Sequence, residues 1–324
     1  MLKTLFLATL SLSPLIAAEK SKQPTWTEYD KAVKEDPDFS IQGEYFKQGA
    51  LYGIQVVALG DEKFEAYLLE GGLPGLGWTK DNLRTKLSGE REGEVITFAK
   101  TQDFGLIIAG QTAKLSGKAV EELPRIQRQS PTLGAKAPDG ASVLFNGTGI
   151  DNWINGKMEN GLLLSTGTTS KETFKDYTLH LEFLTPYKPH ARGQGRGNSG
   201  VYFGGRWETQ VLDSFGLDGL MNECGGIYSV AAPSVNMCLP PLTWQTYDVN
   251  FTDAKFDADG KRTAWPRMTV KLNGVVIHQD QELSKDLTTA SPMNGPLKDE
   301  GRPVFLQNHS NPVFFRNIWV LPKQ

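Results

Sequence analysis

GRGNSGVYFGGRWETQVLD, the stretch from Gly195 to Asp213, carries the clearest indication of how this chain folds. Its first half is rich in glycine, and its second half alternates between apolar and polar residues. Alternation in a strand places Trp207, Thr209 and Val211 on one face and Glu208 and Gln210 on the other. A carboxylate and an amide on one strand face, beside glycines that permit close approach of other groups, indicate a polar face with a functional role. An ordinary solvated sheet face is the alternative that spacing alone leaves open.

Three further residues are candidates for a functional site on the same grounds. Gln307 and His309 are two positions apart and share a strand face, although His309 also suits a purely structural role. Arg316 lies among apolar residues, where a lone charge needs a partner, which favours the bracing of a carboxylate. Asp213 is five positions beyond Glu208, so alternation places it on the opposite face unless a bulge re-aims it.

Length and composition describe a soluble globular protein with room for two domains. The chain has 324 residues, of which 39% are hydrophobic and 22% charged. Its net charge of -3, with no basic tract, argues against nucleic acid as a partner.

Residues 1–18 have the pattern of a secretory signal peptide. Lys3 supplies the positive charge, residues 4–16 are mostly apolar, and Ala17-Ala18 provides small residues for cleavage. A membrane anchor is the alternative, but the apolar run is short for a bilayer and contains Pro14. We therefore predict export to the periplasm or the extracellular space, with no integral membrane segment.

Cys224 and Cys238 are the only cysteines. In an exported chain such a pair favours a disulfide, with free thiols as the alternative. Closing this loop would stabilise the fold by about 3 kcal/mol in the chain-entropy model.

The chain divides into two β-rich parts. Residues 19–130 read as a small β-rich domain of unknown function, and residues 131–141 read as a linker because they lack periodicity and contain glycine and proline. Residues 142–324 contain many short strands, including a hairpin at Asn273-Gly274, and predict an all-β antiparallel sandwich or jelly roll. We expect this second domain to fold without the first.

A comparison with the jelly-roll glucanases argues against ordinary glycoside hydrolysis. Those enzymes carry Glu-x-Asp-x-x-Glu on one strand, whereas this chain has Glu208, Gln210 and Asp213 at the same spacing. Retaining hydrolysis needs two carboxyl groups about 5 Å apart. The amide and the shorter acid compromise that arrangement.

Several motifs in the second domain, taken together, resemble a known family. They include Leu144-Phe145-Asn146-Gly147, Gly197-Asn198-Ser199-Gly200-Val201, Trp207-Glu208-Thr209-Gln210-Val211-Leu212-Asp213-Ser214, Cys224-Gly225-Gly226-Ile227-Tyr228, Trp244-Gln245-Thr246-Tyr247-Asp248, Leu306-Gln307-Asn308-His309 and Phe315-Arg316-Asn317-Ile318-Trp319-Val320. With these motifs the region from Leu144 to Pro322 resembles the bacterial 3-keto-disaccharide hydrolase domain, over slightly more than half of the chain.

The resemblance implies a concanavalin A-like jelly roll with a concave carbohydrate groove. It also implies action on glycosides that are already oxidised to a ketone at C3. Such a ketone acidifies the proton on C2, so a base can remove it and the glycosidic oxygen can leave from C1. The resulting enone then takes up water. This chemistry needs a base, an acid and a stabiliser for the enediolate, but not two matched carboxylates.

Carried onto this sequence, the resemblance predicts Glu208 and His309 as the acid/base pair, without assigning either role, and Asp213 as a further catalytic candidate. The candidates for substrate binding are Asn198, Gln210, Tyr228, Trp244, Gln307 and Arg316. No cofactor is certain; a divalent metal held by Glu208, Asp213 and His309 is the one candidate, although no local spacing indicates a site. Asn308 stands where the family often has an aspartate before the histidine, so His309 is less firmly oriented here.

Two functional classes follow. The first is an exported carbohydrate-active enzyme that cleaves 3-keto-glycosides, with a carbohydrate as its partner. The second is a non-catalytic carbohydrate-binding or cell-envelope interaction module, because the same sandwiches host both. The pair Glu208 and His309 favours the enzyme, since binding alone needs neither a carboxylate nor an imidazole.

Overall fold

The computed structural model describes residues 23–323, so the predicted signal peptide lies outside the described residues. The regular secondary structure of the described residues consists almost entirely of β-strands. One short helix, α1 (Tyr29–Glu35), precedes the strands. Just before this helix, Trp26 forms a β-bridge with Tyr187. Between residues 23 and 323 no helix has the length and apolar character needed to cross a membrane.

The first part of the chain closes into an antiparallel barrel. Around the barrel, the order is β1 (Gly43–Tyr45), β10 (Glu121–Ile126), β9 (Thr112–Gly117), β8 (Phe104–Ala109), β7 (Val95–Phe98), β6 (Arg84–Glu92), β3 (Lys63–Glu70) and β2 (Tyr52–Gly60). The short strands β4 (Leu73–Pro74) and β5 (Gly77–Trp78) pair beside it. Large side chains such as Tyr45, Phe64 and Phe98 fill the interior, so the barrel is a packed core.

The second part is a sandwich of two sheets. The eight-stranded sheet contains β11 (Ser142–Phe145), β13 (Met158–Glu159), β14 (Leu162–Leu164), β16 (Tyr177–Leu184), β19 (Gln245–Thr252), β22 (Arg267–Leu272), β23 (Val275–Glu282) and β25 (Phe314–Pro322). The five-stranded sheet contains β12 (Trp153–Ile154), β15 (Thr168–Ser170), β17 (Ser199–Phe203), β18 (Trp207–Val211) and β24 (Phe305–Leu306). A separate pair, β20 (Lys255–Phe256) and β21 (Arg262–Ala264), completes the strands.

Alternation along the strands fills the space between the two sheets. On β17 and β18, Val201, Phe203 and Trp207 enter the shared core, and Tyr202 and Glu208 therefore point to the other side of the sheet. The all-β sandwich predicted from the sequence is confirmed. The predicted hairpin is also present, with Asn273 and Gly274 both at positive φ between β22 and β23.

Residues 131–141, predicted as a linker, have no regular secondary structure but pack on the outer face of the eight-stranded sheet. The Thr132 hydroxyl donates to Asp248 at 2.6 Å, and the backbone N–H of Gly134 donates to Glu182 at 2.6 Å. The carbonyl of Ala135 accepts from Asn317 and Trp319. The segment is thus a strap fixed to the sheet and not a free tether.

Barrel and sandwich share a buried apolar contact. Leu184, Tyr187 and Leu242 of the second part belong to the same cluster of buried side chains as the barrel core. The independent folding of the second domain stays a prediction. Removal of the barrel would expose these side chains to water, which is the physical reason to expect a loss of stability.

The predicted disulfide between Cys224 and Cys238 is wrong for this structure, because both residues are free and buried thiols. The Cys224 sulfur lies 3.5 Å from the Tyr247 hydroxyl, and the Cys238 thiol donates to the Leu212 and Leu239 carbonyls at 3.5 Å. Each thiol is thereby satisfied within the core, where cysteine packs as a small apolar residue.

The polar network beneath the strap is centred on His180. Its Nδ1 lies 2.6 Å from Asp248, its Nε2 lies 3.8 Å from Glu182, and its ring stacks on Trp319. Burial of the ring lowers the pKa of His180, but hydrogen bonds and charge interactions with Asp248 and Glu182 raise it overall above its ordinary value. Glu182 is held in turn by Arg316 at 2.6 Å.

We predict that His180→Gln lowers the melting temperature more at pH 5.5 than at pH 9. A histidine with a raised pKa in the folded state contributes fully below its unfolded pKa of about 6.5, and this contribution is lost as pH rises through the folded-state value. His278→Gln is the control with the opposite trend, because burial lowers the pKa of His278. Equal shifts for His180→Gln at both pH values would refute the charged network.

Candidate active site

Glu208 and Gln210 face a small pocket on the side of the five-stranded sheet that is turned away from the core. The lining residues of the pocket are Gln194, Asn198, Glu208, Gln210, Tyr228, Thr289, Ala290, Gln307 and His309. The pocket therefore brings together Glu208, His309 and the predicted binding residues Asn198, Gln210, Tyr228 and Gln307.

The hairpin of β17 and β18 sets the geometry of this pocket. Across it Tyr202 pairs with Glu208 and Gly200 pairs with Gln210, so all four residues share one face. The backbone N–H of Gln307 donates to the Gly200 carbonyl at 2.9 Å, which brings the Gln307 strand alongside.

Gly200 is required because the Glu208 side chain lies directly over it. A Cβ at position 200 would lie 2.2 Å from Oε1 of Glu208, which is inside the distance of any real contact. The glycine thus makes room for the carboxyl group.

Glu208 is a buried carboxylic acid with a strongly raised pKa. Its side chain has 2% exposure. Burial raises the pKa of Glu208 to about 7, although the hydrogen bond from Tyr202 lowers it in part. A group with this pKa exists in both protonation states near neutral pH, as a general acid or base requires.

The Tyr202 hydroxyl can serve both protonation states of Glu208. It lies 2.9 Å from Oε2 of Glu208 and 2.9 Å from the Thr289 carbonyl, and it accepts from Nε2 of Gln307 at 2.9 Å. When Glu208 is ionised, Tyr202 donates its proton to the carboxylate. When Glu208 is protonated, the carboxyl group can donate to Tyr202, and Tyr202 can then donate to Thr289.

The amides of Asn198, Gln210 and Gln307 line the pocket and are hydrogen-bonded only through their nitrogens. The side-chain nitrogens of Asn198 and Gln210 donate to Gln194, and that of Gln307 donates to Tyr202. Their three side-chain oxygens, Oδ1 of Asn198 and Oε1 of Gln210 and Gln307, are buried without a hydrogen-bond partner in the described structure. Buried oxygens of this kind need a donor. The pocket is therefore built to receive a ligand with several hydrogen-bond donors.

His309 is exposed at the mouth of the pocket. It also lines a wider, open cleft of about 870 Å³, together with Lys188, Gln194, Gly195, Asn308, Ser310 and Asn311. The side chain of Asn308 accepts from the Ser310 backbone N–H at 2.9 Å, so it shapes the turn. His309 thus stands between the buried acid and a polar cleft open to solvent.

Three predicted site residues do not line this pocket. Asp213 is beyond the end of β18 and forms a buried ion pair with Arg196 at 2.7 Å. Trp244 lines a separate cavity between barrel and sandwich. Arg316 lies 4.0 Å from the Trp244 ring centre and pairs with Glu182. Trp244 immediately precedes β19 and Arg316 lies on β25, two strands of the eight-stranded sheet, whereas the pocket lies on the five-stranded sheet.

The predicted metal ligands do not fit a metal site. Asp213 forms an ion pair with Arg196. Within residues 23–323, no three His, Cys, Asp or Glu side chains form a cluster that could hold a metal ion. The acceptors around Glu208 are neutral amides, which suit the hydroxyl groups of a sugar.

Sequence reasoning missed three residues that line the pocket, Gln194, Thr289 and Ala290, and also Tyr202, which hydrogen-bonds Glu208. Tyr202 could have been found, because the hairpin turn at Gly204-Gly205 fixes the register that sets it opposite Glu208. Gln194 immediately precedes the quoted stretch, between glycines, and only the folded structure reveals its hydrogen bonds to Asn198 and Gln210.

Comparisons with known proteins identify one matching family and solved structures that resemble the chain. Residues 140–321 match the family described as 3-keto-alpha-glucoside-1,2-lyase-like domain. A crystal structure of a candidate glycosyl hydrolase from Parabacteroides distasonis is 29% identical, covering 58% of this chain and 85% of that protein, with a TM-score of 0.52. A second structure so described, from the same organism, is 20% identical over 57% of this chain and 95% of that protein, with a TM-score of 0.43. No curated protein matches the chain.

We predict that Glu208→Gln melts at a higher temperature than the parent above pH 7 and close to it below pH 4. An acid whose pKa is raised in the folded state destabilises the fold as pH rises from its ordinary pKa of about 4.3 to about 7. The neutral amide lacks this penalty. Melting curves across this range for both proteins are the measurement, and a constant difference between them would contradict the raised pKa.

Proposed function

The chain belongs to the family of 3-keto-alpha-glucoside-1,2-lyase-like domains, and on that premise we propose that it is an exported enzyme that cleaves 3-keto-glycosides by elimination and hydration. Family membership and the similarity to a candidate glycosyl hydrolase support a carbohydrate-active enzyme of the glycosidase type. The 3-keto chemistry and the export are our proposals.

One observation carries the proposal: a buried carboxyl group with a pKa of about 7 faces the same pocket as three buried amide oxygens without donors. A sugar ring offers several hydroxyl donors, and it would satisfy Asn198, Gln210 and Gln307 together. Such contacts would hold the ring with its C2 proton near Glu208. Proximity of this kind makes proton removal effectively unimolecular.

The first step is removal of the C2 proton by ionised Glu208. The ketone at C3 accepts the electron pair as an enediolate, while the Glu208 carboxylate becomes a carboxylic acid. Tyr202 accommodates this change, because its hydroxyl can switch from donor to acceptor with respect to Glu208 and then donate to Thr289. Glu208 therefore has a protonation partner that need not move.

In the second step the electron pair returns, the double bond forms between C1 and C2, and the C1–O bond to the leaving group breaks. The leaving oxygen takes a proton from His309, which stands at the pocket mouth next to the open polar cleft. Water then adds to C1 of the enone and gives up a proton to His309, while the proton on Glu208 returns to C2. The sum of these steps is hydrolysis, with no change in oxidation state.

The alternative, a binding module without activity, explains less of the pocket. Sugar binding would account for the amide oxygens alone. It gives no reason to bury a carboxyl group at the cost of raising its pKa.

We predict that Glu208→Gln reduces cleavage of a 3-keto-glucoside by about 100- to 10,000-fold, because the amide cannot accept the C2 proton. The measurement is release of the alcohol, and Glu159→Gln, on an exposed strand of the same domain, is the matched control. For the parent, activity should rise with pH through about 7, as Glu208 ionises.

The same reaction in D₂O tests the elimination. Exchange of the Glu208 proton with solvent before its return would place deuterium at C2 of the released 3-keto sugar, whereas displacement at C1 would leave C2 unlabelled. Cleavage by Glu208→Gln at the parent rate would refute the role of Glu208. A parent protein that binds 3-keto-glucosides but never cleaves them would support the binding module instead.

A further inference from the structure

The barrel lies outside the matched family region, yet it contacts one segment of the active site at four successive points. This segment, residues 187–196, is called the active-site loop below. It carries Gln194 into the pocket and Lys188 into the neighbouring cleft. The loop therefore connects the barrel to the residues that surround Glu208.

The first two contacts fix the start of the loop. Tyr187 exchanges both backbone hydrogen bonds with Trp26, at 2.9 and 3.0 Å. The His190 ring packs against Gly60 at the end of β2, where a Cβ would lie 2.3 Å from the ring. Only a glycine at position 60 leaves room for that ring.

The other two contacts are made by arginines that reach the end of the same strand. Arg192 donates to the Leu59 carbonyl at 3.0 Å. Arg196 donates to the Ala58 carbonyl at 3.4 Å and to Gln42 at 3.3 Å, while its Nε pairs with Asp213. The backbone on both sides of Gln194 is thus attached to the barrel.

Gln194 connects the active-site loop to the pocket through side-chain hydrogen bonds. Its side-chain oxygen accepts from Asn198 at 2.8 Å and from Gln210 at 3.2 Å, and its nitrogen donates to the Asn222 carbonyl at 2.8 Å. These bonds hold the amide nitrogens of Asn198 and Gln210, whose side-chain oxygens are left without a partner in the described structure. Displacement of Gln194 would release both amides.

We propose that the barrel is a brace for the active site, in which the end of β2 holds the active-site loop so that Gln194 keeps the oxygens of Asn198 and Gln210 turned toward the substrate. The part concerning substrate rests on the proposed function; the bracing of the loop does not. Arg192 is a positioning residue in this arrangement, because it acts through Gln194 and does not line the pocket.

Arg192→Ala is the variant of choice, since removal of Arg196 would leave Asp213 buried without its partner and endanger the fold. The matched control is Arg84→Ala. Arg84 crosses between barrel and sandwich elsewhere, pairing with Asp218 at 2.7 Å and donating to Gly216. Arg192→Lys restores one donor toward Leu59 and serves as the conservative variant.

The first readout is hydrogen–deuterium exchange of residues 187–196 in the full-length protein. In Arg192→Ala, loss of the anchoring hydrogen bond should accelerate exchange by about 3- to 10-fold, whereas Arg84→Ala should leave it unchanged and Arg192→Lys should restore part of the protection. Parent-like protection in Arg192→Ala, or an equal effect of Arg84→Ala, would overturn the brace.

The second readout is kinetic and uses the 3-keto-glucoside. Arg192→Ala should raise KM by about 3- to 10-fold with kcat within about 2-fold, because binding contacts are lost while Glu208 is untouched. The double variant with Gln194→Ala should be no worse than Gln194→Ala alone, whereas additive effects would show that Arg192 does not act through Gln194. Absence of turnover in the parent would refute the proposed function, and the exchange data would still decide on the brace.

Discussion

The contact between Glu208 and Gly200 is the constraint on which the site depends. Because position 200 has no Cβ, the Glu208 side chain can lie over Gly200, where the Tyr202 hydroxyl donates to its carboxyl group. Burial raises the pKa of Glu208 to about 7 and creates a group that can give and take a proton at neutral pH. The hairpin register sets Tyr202 opposite this buried acid, and the amides of the pocket surround it.

Both outward faces of the sandwich carry buried polar networks, and they do different things. On the eight-stranded sheet, Glu182 and Asp248 contact His180 and also accept hydrogen bonds from the strap. Both carboxylates are therefore paired, and the network attaches the strap to the sheet. On the five-stranded sheet, the amides of Asn198, Gln210 and Gln307 are completed only on their nitrogen side. A saturated network stabilises, whereas one with free acceptors is prepared for a ligand. This difference separates structural from functional polar residues more clearly than burial does, since both sets are buried.

The proposed elimination would also account for a pocket in which Glu208 is the one carboxylate among the described lining residues. Asp213, which matches the last acid of the glucanase spacing, is held by Arg196 between the barrel and the sandwich and is unavailable to a sugar in the pocket. A displacement mechanism would need that acid close to Glu208. Proton removal from C2 needs one base and a proton donor for the leaving group, and the pocket contains Glu208 and His309. The arginine that removes Asp213 from the chemistry also attaches the active-site loop to the barrel.

The sequence by itself determined what depends on neighbours along the chain. The alternation after the glycines put Glu208 and Gln210 on one strand face, Asn273-Gly274 marked a hairpin, and the spacing of Gln307 and His309 brought that pair to the same pocket. Only the tertiary structure decided the orientation of the amides through Gln194, the raised pKa of Glu208, the places of Asp213, Trp244 and Arg316, and the free state of the two cysteines. The physical reason is the separation along the chain of the residues that decide each property. The period of a strand decides which face a residue takes, whereas desolvation, ion pairing and thiol contacts depend on segments far apart in sequence.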